Sequence, residues 1–318
     1  MRALIIELAV LQTKAGKDYT NMKIRTADKQ ELPAKLWGVV DGLKAGVVIN
    51  GDHKMDAYNG NPQVIFNNLG MDENQSMKDF EKCSEFEVNQ MWSALVDFIE
   101  CTSAGGLSRF VLEEMLNDDK MVEGLRRAPA AKGVHNAWFG GLLEHIISMC
   151  NEGVNLAQHY NRKYNVNISV DKVLFGCIFH DLGKIVEYNY KTASFDLAPT
   201  GLMVNHIVLG PAWIYHTVKS HAEFSKSQYE DEMYQLMHVC AAHHGKTEWG
   251  SPVAPVTLEA ILVHHLDNLD AKMMHAIELI RGKEGPIKGF SEKSWCERVH
   301  YKQNKPINDT SLAEENPF

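Results

Sequence analysis

Two hydrophobic periodicities divide the chain. From Met1 to about Leu69, apolar and polar residues alternate in short runs: LIIELAVLQT, YTNMKIRT, LPAKLW, GVVING and HKMDAYNGNPQVIF. Gly and Asn residues mark turns at Lys14 to Asp18 and at Tyr58 to Pro62. Alternation of period two broken by hairpin turns predicts a small antiparallel β-barrel over 1–70. Residues 71–88 lose the alternation and are rich in acidic and polar side chains, so they read as a linker. After Glu87 the period becomes helical and stays so to about Ile280, which predicts an all-α helical bundle over 89–280 followed by an extension over 281–318. The fold class is therefore multidomain, β then α.

Four helices can be placed within the second region. Trp138, Leu142, His145 and Met149 form one line, in a helix running on toward Tyr160. A helix from about Val170 aligns Val173, Leu174, Cys177, Ile178 and then Asp181, with Gly183 as its expected stop. In the next, Met233, Leu236, Met237 and Cys240 lead to His243 and His244, with Gly245 as C-cap. The last opens after Pro255 with Thr257 as N-cap and runs through Leu258, Ile261, Leu262, Leu266 and Leu269.

Composition narrows the setting. A formal net charge of -9 argues against polyanion binding through the overall field, so a nucleic-acid partner needs a local basic surface. The six cysteines form no CxxC pair, and Cys150, Cys177 and Cys240 fall inside apolar helical patterns, which points to a reducing, cytoplasmic setting. The run from Ala3 to Val10 is broken by Glu7 and has no small-residue cleavage site after it, so it reads as a strand and not as a signal peptide. Nothing approaches the roughly 20 apolar residues of a membrane span.

Histidine is the unusual residue: there are fifteen, mostly between His135 and His275. Helical spacing puts Asp181 on the same face as Cys177 and Ile178, where an unpaired carboxylate is costly, so a positive partner must meet it. His180 offers an imidazole to the same region. His145 edges an apolar stripe, His243 and His244 end another helix, and Asp267 stands one turn from Val263 and Ala271. A single histidine on an apolar face is ordinarily a hydrogen-bonded core residue. Four helices that each bring imidazole or carboxylate to an apolar face point instead to a divalent cation.

The order His145, then His180 and Asp181 in HDLGK, then Asp267 resembles the HD superfamily of metal-dependent phosphohydrolases. His206 in VNHIVLG and the pair His243 and His244 in AAHHG lie between, as in HD enzymes that resemble dinuclear phosphodiesterases. That resemblance implies one ion held by His145, His180, Asp181 and Asp267, and a second held by His206, His243 and His244 with Asp181 bridging. Two ions about 3.5–4 Å apart can activate water and stabilise the leaving oxygen of a phosphodiester. Manganese is the first expectation, with cobalt, iron and zinc also compatible with imidazole and carboxylate. Lys184 reads as a cation for a phosphate oxygen or as a solvated helix-end lysine. His135 reads as a substrate contact or as a cap of the helix that follows. Glu144, Glu187 and Asp270 are candidates for orienting imidazoles; His216, His221, His264 and His265 read as structural or exposed.

PAAKGVHNAWFGGLLEH (Pro129 to His145), HDLGKIVEY, NHIVLG, the stretch from His243 to Lys272 and the phrase GFSEK together resemble the YhaM-type 3′ to 5′ exoribonucleases. That family joins an N-terminal OB-fold to a C-terminal HD domain. The resemblance covers nearly the whole chain and is strongest from Pro129 to Lys272. It implies removal of nucleotides from a 3′ end, with manganese or cobalt as metal. The chain departs from the pattern at Asn136, where HNA stands for the more usual HHA, and in ADKQELPAK, which lacks the usual glycine between barrel strands.

Within the barrel, Tyr19, Trp37 and Tyr58 are candidate stacking platforms for single-stranded nucleic acid, although large aromatics also fill small barrels and Trp37 above all fits that role. The extension from Arg281 to Lys305 interleaves Lys293, Arg298 and five other basic residues with Phe290, Trp295 and Tyr301, which suits phosphates and bases or, equally, a packed and solvated tail. The reading is a hydrolytic 3′ to 5′ exonuclease on single-stranded RNA, with single-stranded DNA as a further substrate, no membrane partner and homo-oligomeric assembly left open. Its products would be nucleoside 5′-monophosphates. Two alternatives remain: an HD-domain nucleotide or cyclic-dinucleotide phosphodiesterase, and a non-catalytic nucleic-acid-binding protein.

Overall fold

The computed structural model describes residues 1–28, 30–58, 60–75, 78–133, 135–190, 195–281 and 290–291. The chain divides into two compact units, one of residues 1–83 with 189–195 and one of the remainder.

The first unit is a seven-stranded sheet that fits an OB-like fold. Its strands are β1 (Arg2–Gln12), β2 (Asp18–Thr26), β3 (Glu31–Leu36), β4 (Val48–Asn50), β5 (His53–Tyr58), β6 (Asn61–Phe66) and β7 (Gly70–Met71), in the order β5-β6-β3-β2-β1-β4-β7. Neighbours pair antiparallel with one exception: β3 and β6 run parallel, Ala34 beside Val64 and Leu36 beside Phe66. The purely antiparallel expectation is corrected there. The chain leaves β3 to pair β4 with β1, then returns as the β5–β6 hairpin, so β6 re-enters beside β3 in the same direction.

Alternation decides the interior. Ala3 and Ile5 of β1 join Met22, Ile24, Ala34, Leu36, Ile49, Val64 and Phe66 in one core. The intervening Leu4 and Ile6 point to the opposite face and are buried with Val48 under Phe80. Residues read as a linker therefore supply Met71 of β7 and, in Phe80, a cover for β1.

The second unit is helical: α1 (Val88–Glu100), α2 (Leu107–Leu116), α3 (Asp119–Arg127), α4 (Gly141–Tyr164), α5 (Val170–Phe179), α6 (Lys184–Glu187), α7 (Pro199–Met203), α8 (His206–Ser220), α9 (Glu230–Ala242) and α10 (Leu258–Arg281). Local signals start several of these. Asp118 accepts from the N–H groups of Lys120 and Met121, Ser169 from Lys172, Asn205 from Val208 and, as expected, Thr257 from Ala260 at 3.2 Å. The apolar helix α5 is the centre of the unit, with Val173 through Phe179 all buried. Gly176 lets α9 and α10 approach closely, since a Cβ there would lie 2.7 Å from Val263.

Two expectations about helix ends change. Trp138 precedes α4 and does not belong to it. The helix α5 stops at Phe179, so Gly183 is not its C-cap: its φ is -59°, and its lack of a side chain serves the close approach of His206, whose Cα would lie 2.5 Å from an added Cβ. Among the described residues, no helix is long and apolar enough to cross a membrane.

Candidate metal centre

The ends of α5 and α9, the starts of α4 and α8 and the middle of α10 bring imidazole and carboxylate groups together. In one group, ligand atoms of His145, His180, Asp181 and Asp267 all lie within 4.8 Å of one another; in a second, those of His206, His243 and His244 do the same. Asp181, at 1 % exposure, faces both. Its Oδ1 is 3.4 Å from His206 Nε2 and 3.6 Å from His243 Nε2, and its Oδ2 is 3.3 Å from His180 Nε2. Asp267 Oδ1 stands 3.3 Å from His145 Nε2 and 4.0 Å from His180 Nε2.

Each imidazole is held by its other nitrogen. Nδ1 of His145 bonds Asp270 at 2.6 Å, and Nδ1 of His206 bonds Glu187. Nδ1 of His180 lies 3.1 Å from the carbonyls of Gly176 and Cys177, that of His243 lies 2.6 Å from the Cys240 carbonyl, and that of His244 lies 2.9 Å from the Trp249 carbonyl. Anchoring Nδ1 in this way selects the tautomer whose Nε2 carries a lone pair toward the centre. Of the three carboxylates considered as orienting groups, Asp270 and Glu187 meet imidazoles, whereas Glu144 accepts from the indole N–H of Trp138 at 2.8 Å. Ser148, one turn beyond His145 on α4, donates to the second oxygen of Asp270. Its helical spacing from His145 was the only sequence signal for it.

Nε2 of His145, His180, His206 and His243 and Oδ1 of Asp181 are buried without a hydrogen-bond partner. An unsatisfied buried polar atom costs about 1–3 kcal/mol, and here five such atoms converge. With the imidazoles neutral, as a bound cation requires, all five are lone-pair donors, so divalent cations fit among them.

The charges respond to this confinement. Burial opposes the ionised form of Asp181, but Lys184 and His180 outweigh it and hold the carboxyl well below its usual range. Burial likewise opposes imidazolium at His145, yet Asp267 and Asp270 push it up to about 10. His243 is held well below the usual histidine value by burial and by His180, and His244 is lowered by burial and His206.

Lys184 and His135 flank the centre in different ways. The Lys184 ammonium donates to Asp181 Oδ2 and to the Ala130 carbonyl, both at 2.6 Å, so it is buried as the partner of Asp181 and is not a solvated helix-end lysine. The His135 ring lies 5.5 Å from that of His145, with both ring nitrogens buried and unpartnered. It does not cap α4, whose N-cap is Gly140. Beside it Asn136 adopts a left-handed φ of 45°, and its carbonyl accepts from Ala130 N–H at 3.1 Å, which closes the loop that presents the Ala130 carbonyl to Lys184.

In the sheet unit the aromatics stand differently from the core expectation. Trp37 is 64 % exposed and Tyr58 is 60 % exposed. The Tyr19 and Trp37 rings lie 5.5 Å apart, and the Lys35 ammonium sits 4.9 Å from the Tyr58 ring centre. Trp37 follows β3, beyond the last residue that pairs with β6, so it falls outside the interior that Leu36 and Phe66 fill. Lys293 and Arg298 lie outside the described residues, as do Trp295 and Tyr301.

A helical bundle that gathers His145, the dipeptide His180–Asp181 and Asp267 defines an HD domain, and the HD domain family model matches residues 142–272. Over nearly the whole chain the similarity is more particular. The 3′-5′ exoribonuclease YhaM of Shouchella clausii is 30% identical over 300 residues, covering 87% of this chain and 86% of that protein. Those of Bacillus licheniformis and Bacillus subtilis are each 28% identical, covering 90% and 81% of this chain and 90% and 80% of their own lengths. The chain belongs to this YhaM family of HD-domain hydrolases. No solved structure matches it.

Proposed function

We propose that the protein is a metal-dependent 3′-5′ exoribonuclease that shortens single-stranded RNA to nucleoside 5′-monophosphates and also accepts single-stranded DNA. The observation that carries the reading is the convergence of the unpartnered Nε2 atoms of His180, His206 and His243 on the two oxygens of Asp181, with that of His145 beside Asp267, in a chain of this family. His145, His180, Asp181 and Asp267 would hold one divalent ion and His206, His243 and His244 the other, with Asp181 shared. Manganese is the expected metal. Bound there, the ions supply Lewis acidity for the phosphoryl group and lower the pKa of water.

The chain's own residues set up that chemistry. Asp270, Glu187 and the backbone carbonyls of α5 and α9 fix the imidazoles so that little reorganisation is needed when charge develops. Lys184 holds Asp181 in place and ionised, and the N–H that its two bonds leave over is directed to the phosphoryl oxygens. The unpartnered ring of His135 is available to hydrogen-bond the substrate beside His145. Exposed Trp37 and Tyr58, half-buried Tyr19 and Lys35 offer stacking faces and positive charge to a strand on the sheet unit.

The test is incubation of the purified protein with manganese and 5′-labelled single-stranded RNA, single-stranded DNA or a cyclic dinucleotide. The expected outcome is a ladder of RNA shortened from the 3′ end with mononucleotide products, abolished in Asp181→Ala. Intact RNA alongside cleaved cyclic dinucleotide would replace this reading with that of a nucleotide phosphodiesterase.

A further inference from the structure

Trp249 is a large aromatic beside the metal centre whose indole, unlike its backbone carbonyl, has no part in holding the ligands. It ends the short 3-10 turn Thr247–Trp249, and its indole is 48 % exposed. The backbone that displays it is tightly built. Trp249 N–H donates to the Lys246 carbonyl at 3.0 Å, Gly250 N–H to Thr247 at 3.0 Å and Ser251 N–H to Lys246 at 3.1 Å. The hydroxyl of buried Ser251 lies 3.0 Å and 2.8 Å from the carbonyls of Ala241 and Val253. Gly245 and Gly250 enter and leave the loop at φ values of 80° and 91°, which L side chains rarely adopt.

The loop is also joined to the centre, because the Trp249 carbonyl is the group that receives Nδ1–H of His244. The indole is therefore one residue's backbone away from a ligand imidazole. Its face is covered by the Lys246 ammonium, 4.5 Å from the ring centre. That lysine is 57 % exposed and only loosely paired with Glu248 at 3.7 Å, so a flat ligand can take its place. A rigidly displayed, water-exposed aromatic with a displaceable cation on its face is what a nucleobase and its phosphate require.

We propose that Trp249 is a stacking platform for the base of a nucleotide that flanks the scissile phosphodiester, and that Lys246, displaced from the indole, meets a phosphate oxygen of the same strand. This rests on the exoribonuclease reading. A base stacked there fixes the strand relative to His244, so the platform registers the end of the chain against the metal centre while accepting any of the four bases.

The test uses RNA oligonucleotides that are intact, abasic at the terminal nucleotide or abasic at the penultimate one, with the full-length manganese-loaded protein. The wild type should remove the last nucleotide from intact RNA on the order of tenfold faster than from one of the abasic forms, within the range that base–aromatic stacking supplies. In Trp249→Ala that ratio should collapse toward one, and in Trp249→Phe it should largely persist. If Trp249→Ala slows all substrates together and keeps the wild-type ratio, the indole acts only by supporting His244 and the proposal is overturned. If the wild type shortens none of the substrates, the exoribonuclease reading itself falls.

Discussion

The carboxylate of Asp181 and the ammonium of Lys184 stand 2.6 Å apart, three residues from one another in sequence, and both are buried. Neither charge is tolerable there alone. Removing one partner of a buried pair typically costs about 3–5 kcal/mol because the other is left uncompensated. Lys184→Met should lower the stability of the metal-free protein by about that amount, and manganese should recover a large part of the loss, since a cation on Asp181 replaces the missing charge. Denaturant unfolding with and without manganese checks this; a loss that manganese does not reduce would separate Lys184 from the metal centre.

Asp270 and Glu187 each orient one imidazole, His145 in one ligand group and His206 in the other. Loss of such a supporting bond typically weakens metal binding about 10–100-fold. Asp270→Ala should weaken the ion at His145 and Glu187→Ala the ion at His206, each leaving the other event near its wild-type affinity. Calorimetric titration of the stripped protein resolves the two, and equal weakening of both by either variant would argue for one undivided site.

Gly183 has ordinary helical dihedrals, so its replacement is a matter of space alone. An added methyl would press on the backbone of His206 at 2.5 Å, where α8 begins. Gly183→Ala should cost about 1–3 kcal/mol by overpacking, and should displace His206 enough to reduce bound metal. A melting curve and a metal count on the purified variant are sufficient; an unchanged metal count would show that the His206 helix shifts freely.

His135 supplies a pH dependence. Burial first, and His145 second, push its pKa down to about 3 from an ordinary 6.5. Below about pH 6.5 the unfolded chain takes up a proton that the folded protein refuses, so this contribution to stability is complete above that pH and falls as pH drops toward 3. The slope is about 1.4 kcal/mol per pH unit for one such group. His135→Phe should flatten the acid limb of the stability profile of metal-stripped protein by that slope, leaving the share that belongs to His243 and His244. Urea unfolding from about pH 7 to about pH 4.5 measures it, and parallel profiles for variant and wild type would contradict the assignment.

Much of this centre was legible along the chain because its ligands interrupt apolar helical faces. Asp181 beside Cys177 and Ile178, and His243 beyond Cys240, stand where an uncompensated polar group is costly, and periodicity exposes that conflict without a structure. The two element types were legible for the same reason, since periods of two and of about 3.6 residues leave different apolar patterns.

The sequence by itself determined which residues can donate lone pairs, in what order, and on which kind of element. Only the tertiary structure decided how they point. His180, His243 and His244 are turned by the carbonyls of Gly176, Cys177, Cys240 and Trp249, and every residue has a carbonyl, so no pattern of side chains marks these. The same holds for Trp37 and Trp249. Whether an indole fills a core or faces water depends on where the chain turns after a strand or helix, and that is set by packing between segments far apart in sequence. The meeting of Asp181 with His180, His206 and His243 is likewise an outcome of α5, α8 and α9 converging at one point, which a linear spacing can suggest but not impose.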